Sequence, residues 1–86
     1  MRYQLEYLPA ARKSIERLPR NIQKRIVNRI EALSSNPRPP GCTKLSGQEA
    51  YRLRVGDYRV IYTVFDDRLI VVVIDVGHRR DVYRRK

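Results

Sequence analysis

Apolar and polar residues change rhythm several times along this chain of 86 residues. Residues 2–8, Arg-Tyr-Gln-Leu-Glu-Tyr-Leu, alternate at period two and predict a strand. Leu8, Ala11, Ile15 and Leu18 then recur at helical spacing, and Pro9 suits a first helical turn, so residues 9–18 predict a short amphipathic helix. Pro19-Arg20 interrupts it. A second helix starts near Arg20 or Asn21. Its apolar stripe is Ile22, Ile26, Val27, Ile30 and Leu33, while Gln23, Lys24, Arg25, Asn28 and Arg29 face water. Ser34-Ser-Asn-Pro37 ends it. Two helices joined this tightly make an antiparallel hairpin.

The second half reads as strands. Residues 37–43 form a loop stiffened by Pro37, Pro39 and Pro40. Strands follow near 50–55, 58–65 and 69–76, with Asp66-Asp67-Arg68 turning between the last two. Leu69 to Ile74 lacks polar alternation, which predicts a central strand covered on both faces. A short final strand is expected around Asp81-Val82-Tyr83. The β-α-α-β-β-β order predicts an α+β fold: a mostly antiparallel sheet of four to five strands, with the N-terminal helical hairpin on one face. A single domain over 1–86 is expected, with no internal boundary or repeat.

One hairpin in that sheet carries an electrostatic anomaly. Tyr51-Arg-Leu-Arg-Val-Gly-Asp-Tyr-Arg-Val-Ile-Tyr62 alternates, breaks at Gly56-Asp57, and alternates again. Val55 opposite Tyr58 sets Arg54 opposite Arg59, with Arg52 two residues along on the same face. Like charges directly opposed across strands are destabilising. Tyr51, Leu53 and Val55 should face the helices, leaving the arginines on an open, concave side. Their functional reading is the binding of backbone phosphate and stabilisation of charge building on it. The bland reading is a solvated strand face partly compensated by Asp57 and Asp75.

Composition sharpens this. Nineteen basic residues against nine acidic give a formal charge of +10. Fifteen of the basic residues are Arg, whose planar fork suits phosphate and stacks on bases, so a nucleic-acid partner is favoured. Cys42 is the single cysteine, which excludes an intrachain disulfide, and no Cys/His set fits zinc. Met1-Arg-Tyr-Gln-Leu-Glu6 lacks a signal peptide's apolar core, and no run is long enough to span a membrane; a cytoplasmic protein is expected. No metal set, cofactor motif, phosphate-binding glycine loop or nucleophile motif is evident.

The segment Gly77-His-Arg-Arg-Asp-Val-Tyr-Arg84 supplies the remaining candidates. His78 is the one histidine, with an ordinary pKa near neutrality; as a bland alternative it is a surface residue of a basic loop. Tyr83 can serve as acid or base if positive charge lowers its pKa, or else is a core-edge aromatic. Tyr3, Tyr7, Tyr58 and Tyr62 fall on strands and read as structural. A basic sheet face with Tyr and His nearby and no metal fits RNA cleavage by the RNA's own 2′-hydroxyl.

Lys44-Leu-Ser-Gly47, the Tyr51–Tyr62 hairpin, Val76-Gly-His-Arg79 and Val82-Tyr83 together resemble the RelE/ParE superfamily of toxins from type II toxin–antitoxin systems, over essentially the whole chain. The resemblance implies a RelE-type mRNA interferase: a ribosome-dependent endoribonuclease cutting mRNA in the A site. The alternative it carries is a ParE-type inhibitor of DNA gyrase, with the same fold and no nuclease activity. An inactive relative kept for antitoxin binding or DNA autoregulation is a third reading. In RelE-type terms Arg52, Arg54 and Arg59 hold and stabilise the phosphate, Arg79 is an acid or charge stabiliser, and Tyr83 is the general base. Lys44, His78 and Arg80 are expected to contact RNA. Arg52 and Arg54 stand where the best-known member has Lys. Since Arg keeps its proton, both are confined to electrostatic roles. The implied partners are the ribosome, mRNA and a cognate RelB-like antitoxin with an acidic helical segment, in a hetero-oligomer. With the sequence ending at Lys86, the longer C-terminal helix of some members is not expected.

Overall fold

The computed structural model describes residues 2–47 and 49–78. Its elements run β1 (Gln4–Tyr7), α1 (Pro9–Glu16), α2 (Arg20–Ala32), β2 (Cys42–Lys44), β3 (Ala50–Val55), β4 (Tyr58–Phe65) and β5 (Ile70–His78). The sheet order is β1-β5-β4-β3-β2. Only β1 with β5 is parallel; the other three pairings are antiparallel. This is the expected α+β architecture, with five strands.

Local chemistry accounts for the helices. Pro9 opens α1, where its missing N–H costs nothing, after an extended Leu8. Between the helices the Gln23 amide reaches back and donates to the Leu18 carbonyl at 2.8 Å and to Glu16 at 3.3 Å. It thereby satisfies carbonyls that the end of α1 leaves open. Gln23 was expected to face water; its role as a tie between the helices is not visible in periodicity.

The core lies between the helices and one sheet face. Ala11 and Ile15 of α1 and Ile26, Ile30 and Leu33 of the α2 stripe meet Leu53 and Val55 of β3, Val60, Tyr62 and Val64 of β4, and Val71, Val73 and Val76 of β5. α1 lies against β5 and α2 approaches β3. The predicted apolar stripe of the second helix is therefore the face that packs.

Three expectations need correction. Cys42 and Thr43, read as part of a loop, form β2 with Lys44 against β3, with Thr43 opposite Arg52. Three residues of edge strand leave too short a pattern to read. Ile70–Ile74 does lie in a strand flanked on both sides, with Leu69 left in the turn before it, but β4 is the middle one. Nor is β5 covered on both faces: Ile70, Val72 and Ile74 are only half-buried on the side away from the helices. β5 also carries an irregularity. Ile61 pairs with Asp75 but Tyr62 pairs with Val73, so Ile74 is an extra residue. This bulge resets the parity of the strand. Val71, Val73 and Val76 all reach the core, and Asp75 is delivered to the opposite face. The strand expected around Asp81–Tyr83 lies outside the described residues.

Candidate functional site

The β3–β4 hairpin has the predicted register: Val55 pairs with Tyr58 and Arg54 with Arg59. Gly56 takes φ +61° while Asp57 keeps a negative φ, the II′ arrangement in which glycine is favoured at the first position. Leu53 and Val55 are buried toward the helices. Alternation then sends Arg52, Arg54 and Arg59 to the other face.

On that face the sheet and the preceding loop enclose a groove of about 460 Å³, lined by Gly41, Thr43, Arg52, Arg54 and Gly56. The three arginines are unequal. Arg54 is exposed and Arg52 half-buried, but Arg59 is only 6% exposed, a guanidinium held largely out of water. Burying a charge costs several kcal/mol before its contacts are counted, and a second arginine directly opposite adds to the cost. A partly desolvated cation also acts more strongly on an anion brought to it, because less water screens the pair. Arg52 and Arg54 line the groove and suit an oxyanion, whereas Arg59 is buried behind it and makes contacts of its own. Asp75, turned to this face by the bulge, is half-buried, and its Oδ1 accepts the Val76 N–H at 2.9 Å.

A clamp fixes the start of the loop that leads to the groove. Arg38 donates from Nη1 and Nη2 to the two carboxylate oxygens of Asp66, at 3.1 and 2.7 Å, and from Nε to the Tyr51 hydroxyl at 2.8 Å. Its guanidinium lies 5.2 Å from the Tyr51 ring centre, and Tyr51 stacks on Tyr62 at 5.7 Å. Tyr62 donates to the Pro37 carbonyl and Tyr3 donates to Asp66, both at 2.8 Å. The Pro-rich loop is thus pinned at Pro37 and Arg38, and it leads into Gly41 and Thr43 of the groove. The hydrogen bond from Arg38, followed by that from Tyr3, holds the Asp66 carboxyl below its usual value. The same bond to Asp66 pushes the Tyr3 hydroxyl up, while burial is the main cause raising Tyr62.

Register separates two other candidates from the arginines. His78 pairs with Tyr58, on the helix side of the sheet, and meets its ring edge-on at 5.6 Å. Lys44 pairs with Tyr51, also on the helix side, and its Nζ lies 3.9 Å from Glu49. Arg79, Arg80 and Tyr83 lie outside the described residues. The groove also includes Gly41 and Thr43, which sequence reasoning missed; recognising β2 would have set Thr43 beside Arg52.

Residues 5–83 match the family described as the ParE toxin of the type II toxin–antitoxin system parDE. The chain belongs to the RelE/ParE toxin family. Its similarity to individual members covers nearly the full length of both partners. Toxin RelG of Mycobacterium tuberculosis is 33% identical, over 99% of this chain and 100% of its own. A protein of Escherichia coli named as RelE-like is 32% identical, over 96% of this chain and 92% of its own. Among solved structures, the RelE–RelB complex of the archaeon Pyrococcus horikoshii contains a chain that superposes with a TM-score of 0.82 at 28% identity, covering 92% of this chain and 97% of that one. This RelE/ParE protein is accordingly a toxin of a type II toxin–antitoxin system.

Proposed function

We propose that this toxin is a RelE-type endoribonuclease that cuts mRNA in the ribosomal A site. The observation that carries the reading is the one-sided groove of Arg52 and Arg54, with Arg59 buried on the same face. In the proposed reaction the 2′-oxygen attacks the adjacent phosphorus and loses its proton to a base. The bond from phosphorus to the 5′-oxygen breaks, and that oxygen takes up a proton. The products are a 2′,3′-cyclic phosphate and a free 5′-hydroxyl. Arg52, Arg54 and Arg59 stabilise the extra negative charge on the phosphorane and move no proton. Arg79, which likewise keeps its proton, adds charge, Tyr83 is the base, and the 5′-oxygen takes its proton from water. Lys44 and His78, set on the other side of the sheet, are assigned no part in the chemical step; with Arg80 they are contacts to RNA at most. Seating of the mRNA by the ribosome supplies the orientation that so few groups require.

A RelB-like antitoxin with an acidic helical segment is the proposed partner in the cytoplasm, since such a helix masks a cationic face by charge complementarity. The structural relative from Pyrococcus horikoshii is itself a RelE–RelB complex.

The match to the family described as ParE favours a second reading, a gyrase-directed toxin without nuclease activity. Induced expression, followed by primer extension on a translated mRNA beside a gyrase supercoiling assay, separates the two. The RelE-type reading expects A-site cuts and unaffected supercoiling. Intact mRNA with inhibited gyrase overturns it.

A further inference from the structure

Gly56 borders two depressions. One is the arginine groove. The other lies across the hairpin tip on the helix side, a cleft of about 150 Å³ lined by Ile22, Arg25, Val55, Gly56, Asp57 and Tyr58. Arg25 comes from the exposed face of α2 and lays its guanidinium against the tip: Nη2 stands 3.5 Å from where a Cβ on Gly56 would be. Its side chain makes no ion pair or hydrogen bond with another of the described residues. Tyr58 presents a half-buried ring, braced by His78. A guanidinium beside an aromatic ring is the pairing that single-stranded nucleic acid uses, one for phosphate and one for a base face. Asp57 borders the same cleft and repels phosphate, which leaves the Arg25 side to phosphate and the Tyr58 side to a base. With no side chain on Gly56, the Arg25 guanidinium lies close to the backbone of the tip.

Building on the RNA reading above, we propose that an RNA strand seated on the arginine face continues over the Gly56–Asp57 tip into this cleft, with a neighbouring phosphate on Arg25 and a base against Tyr58. The cleft is a distal subsite, so it acts on long strands and not on short ones.

The probe is RNA carrying 2′-O-methyl groups throughout, which blocks cleavage, as a trinucleotide and a nonanucleotide. Binding is read by fluorescence anisotropy over a range of salt concentrations, for wild type, Arg25→Ala and Arg54→Ala. Arg25 is exposed, and circular dichroism checks that each variant keeps its fold. Arg25→Ala should weaken the nonanucleotide about five- to tenfold and lower the salt slope by about 0.7, the value of one phosphate on a single strand. It should leave the trinucleotide unchanged, while Arg54→Ala weakens both. If Arg25→Ala leaves the nonanucleotide and its slope unchanged, or weakens both oligonucleotides equally, the subsite is wrong although the RNA reading stands. If wild type binds neither oligonucleotide saturably at low salt, this inference fails, while primer extension on ribosome-bound mRNA decides the RNA reading separately.

Discussion

The Arg54–Arg59 pairing makes a trade of stability against activity that one substitution exposes. Arg54 is exposed and stands directly opposite the buried Arg59 across the hairpin. A like-charged pair in that position costs about 0.2–1 kcal/mol, and an opposite-charged pair contributes about the same amount. Arg54→Gln removes the repulsion alone. Arg54→Glu removes it and installs an attraction, a swing of about 0.4–2 kcal/mol. Because Arg54 is exposed and partly screened, about 1 kcal/mol is the expected gain. In a domain of this size that raises the melting temperature by about 4–8 °C. The same variant loses a cation from the groove and should be inactive as a toxin. Urea denaturation of wild type, Arg54→Gln and Arg54→Glu reads the stability, the urea midpoint rising in that order at constant m-value. Repeating the series with Arg59→Met should abolish most of the difference between Gln and Glu. If Arg54→Glu is no more stable than Arg54→Gln, or if the difference persists without Arg59, the cross-strand repulsion argument is refuted.

Other parts of the structure yield three further expectations. Ile30→Ala, at a fully buried position of α2, should cost about 2–5 kcal/mol in the same denaturation assay. Gly56→Ala meets no clash, since its Cβ would sit at ordinary contact distance from Arg25, but it forces alanine to φ +61°; the expected cost is about 1–2 kcal/mol, with Gly56→Asn costing less. Asp66 has a folded-state pKa below its ordinary value of 3.8, so its bond to Arg38 supports the fold above that pH and the support fades as pH falls through the lower folded value. The stability gap between wild type and Asp66→Asn should be constant near neutrality and close below about pH 3.8; a gap that does not change with pH contradicts the assignment.

Much of the fold is legible because its long elements obey one period each. Ile26, Ile30 and Leu33 recur helically and are the buried residues of the second helical stripe. Leu53 and Val55 alternate with arginines, and the Gly56-Asp57 turn fixes their register to within a residue. The failures are as local as the successes. β2 is too short to show alternation, so Thr43 was lost from the groove. The bulge at Ile74 hides in a run where every residue is apolar, and only Asp75 betrays it: at strict period two from Val71 and Val73 it would enter the core. Strand parity also decides the fate of His78 and Lys44. Both lie near the arginines in sequence, yet each falls on the opposite face, because neighbours along a strand point opposite ways. The clamp of Arg38 on Asp66 joins residues 28 apart and has no signature in any window of sequence.

The most direct test of the central claim is the single-turnover cleavage rate on ribosomes programmed with mRNA and saturated with toxin. Wild type should cut at the A-site codon. Arg52→Ala and Arg54→Ala should each cut about a hundred- to a thousandfold more slowly, the loss expected when one group aimed at a developing oxyanion is removed. Unchanged rates in both variants would contradict the assignment of this sheet face to the scissile phosphate.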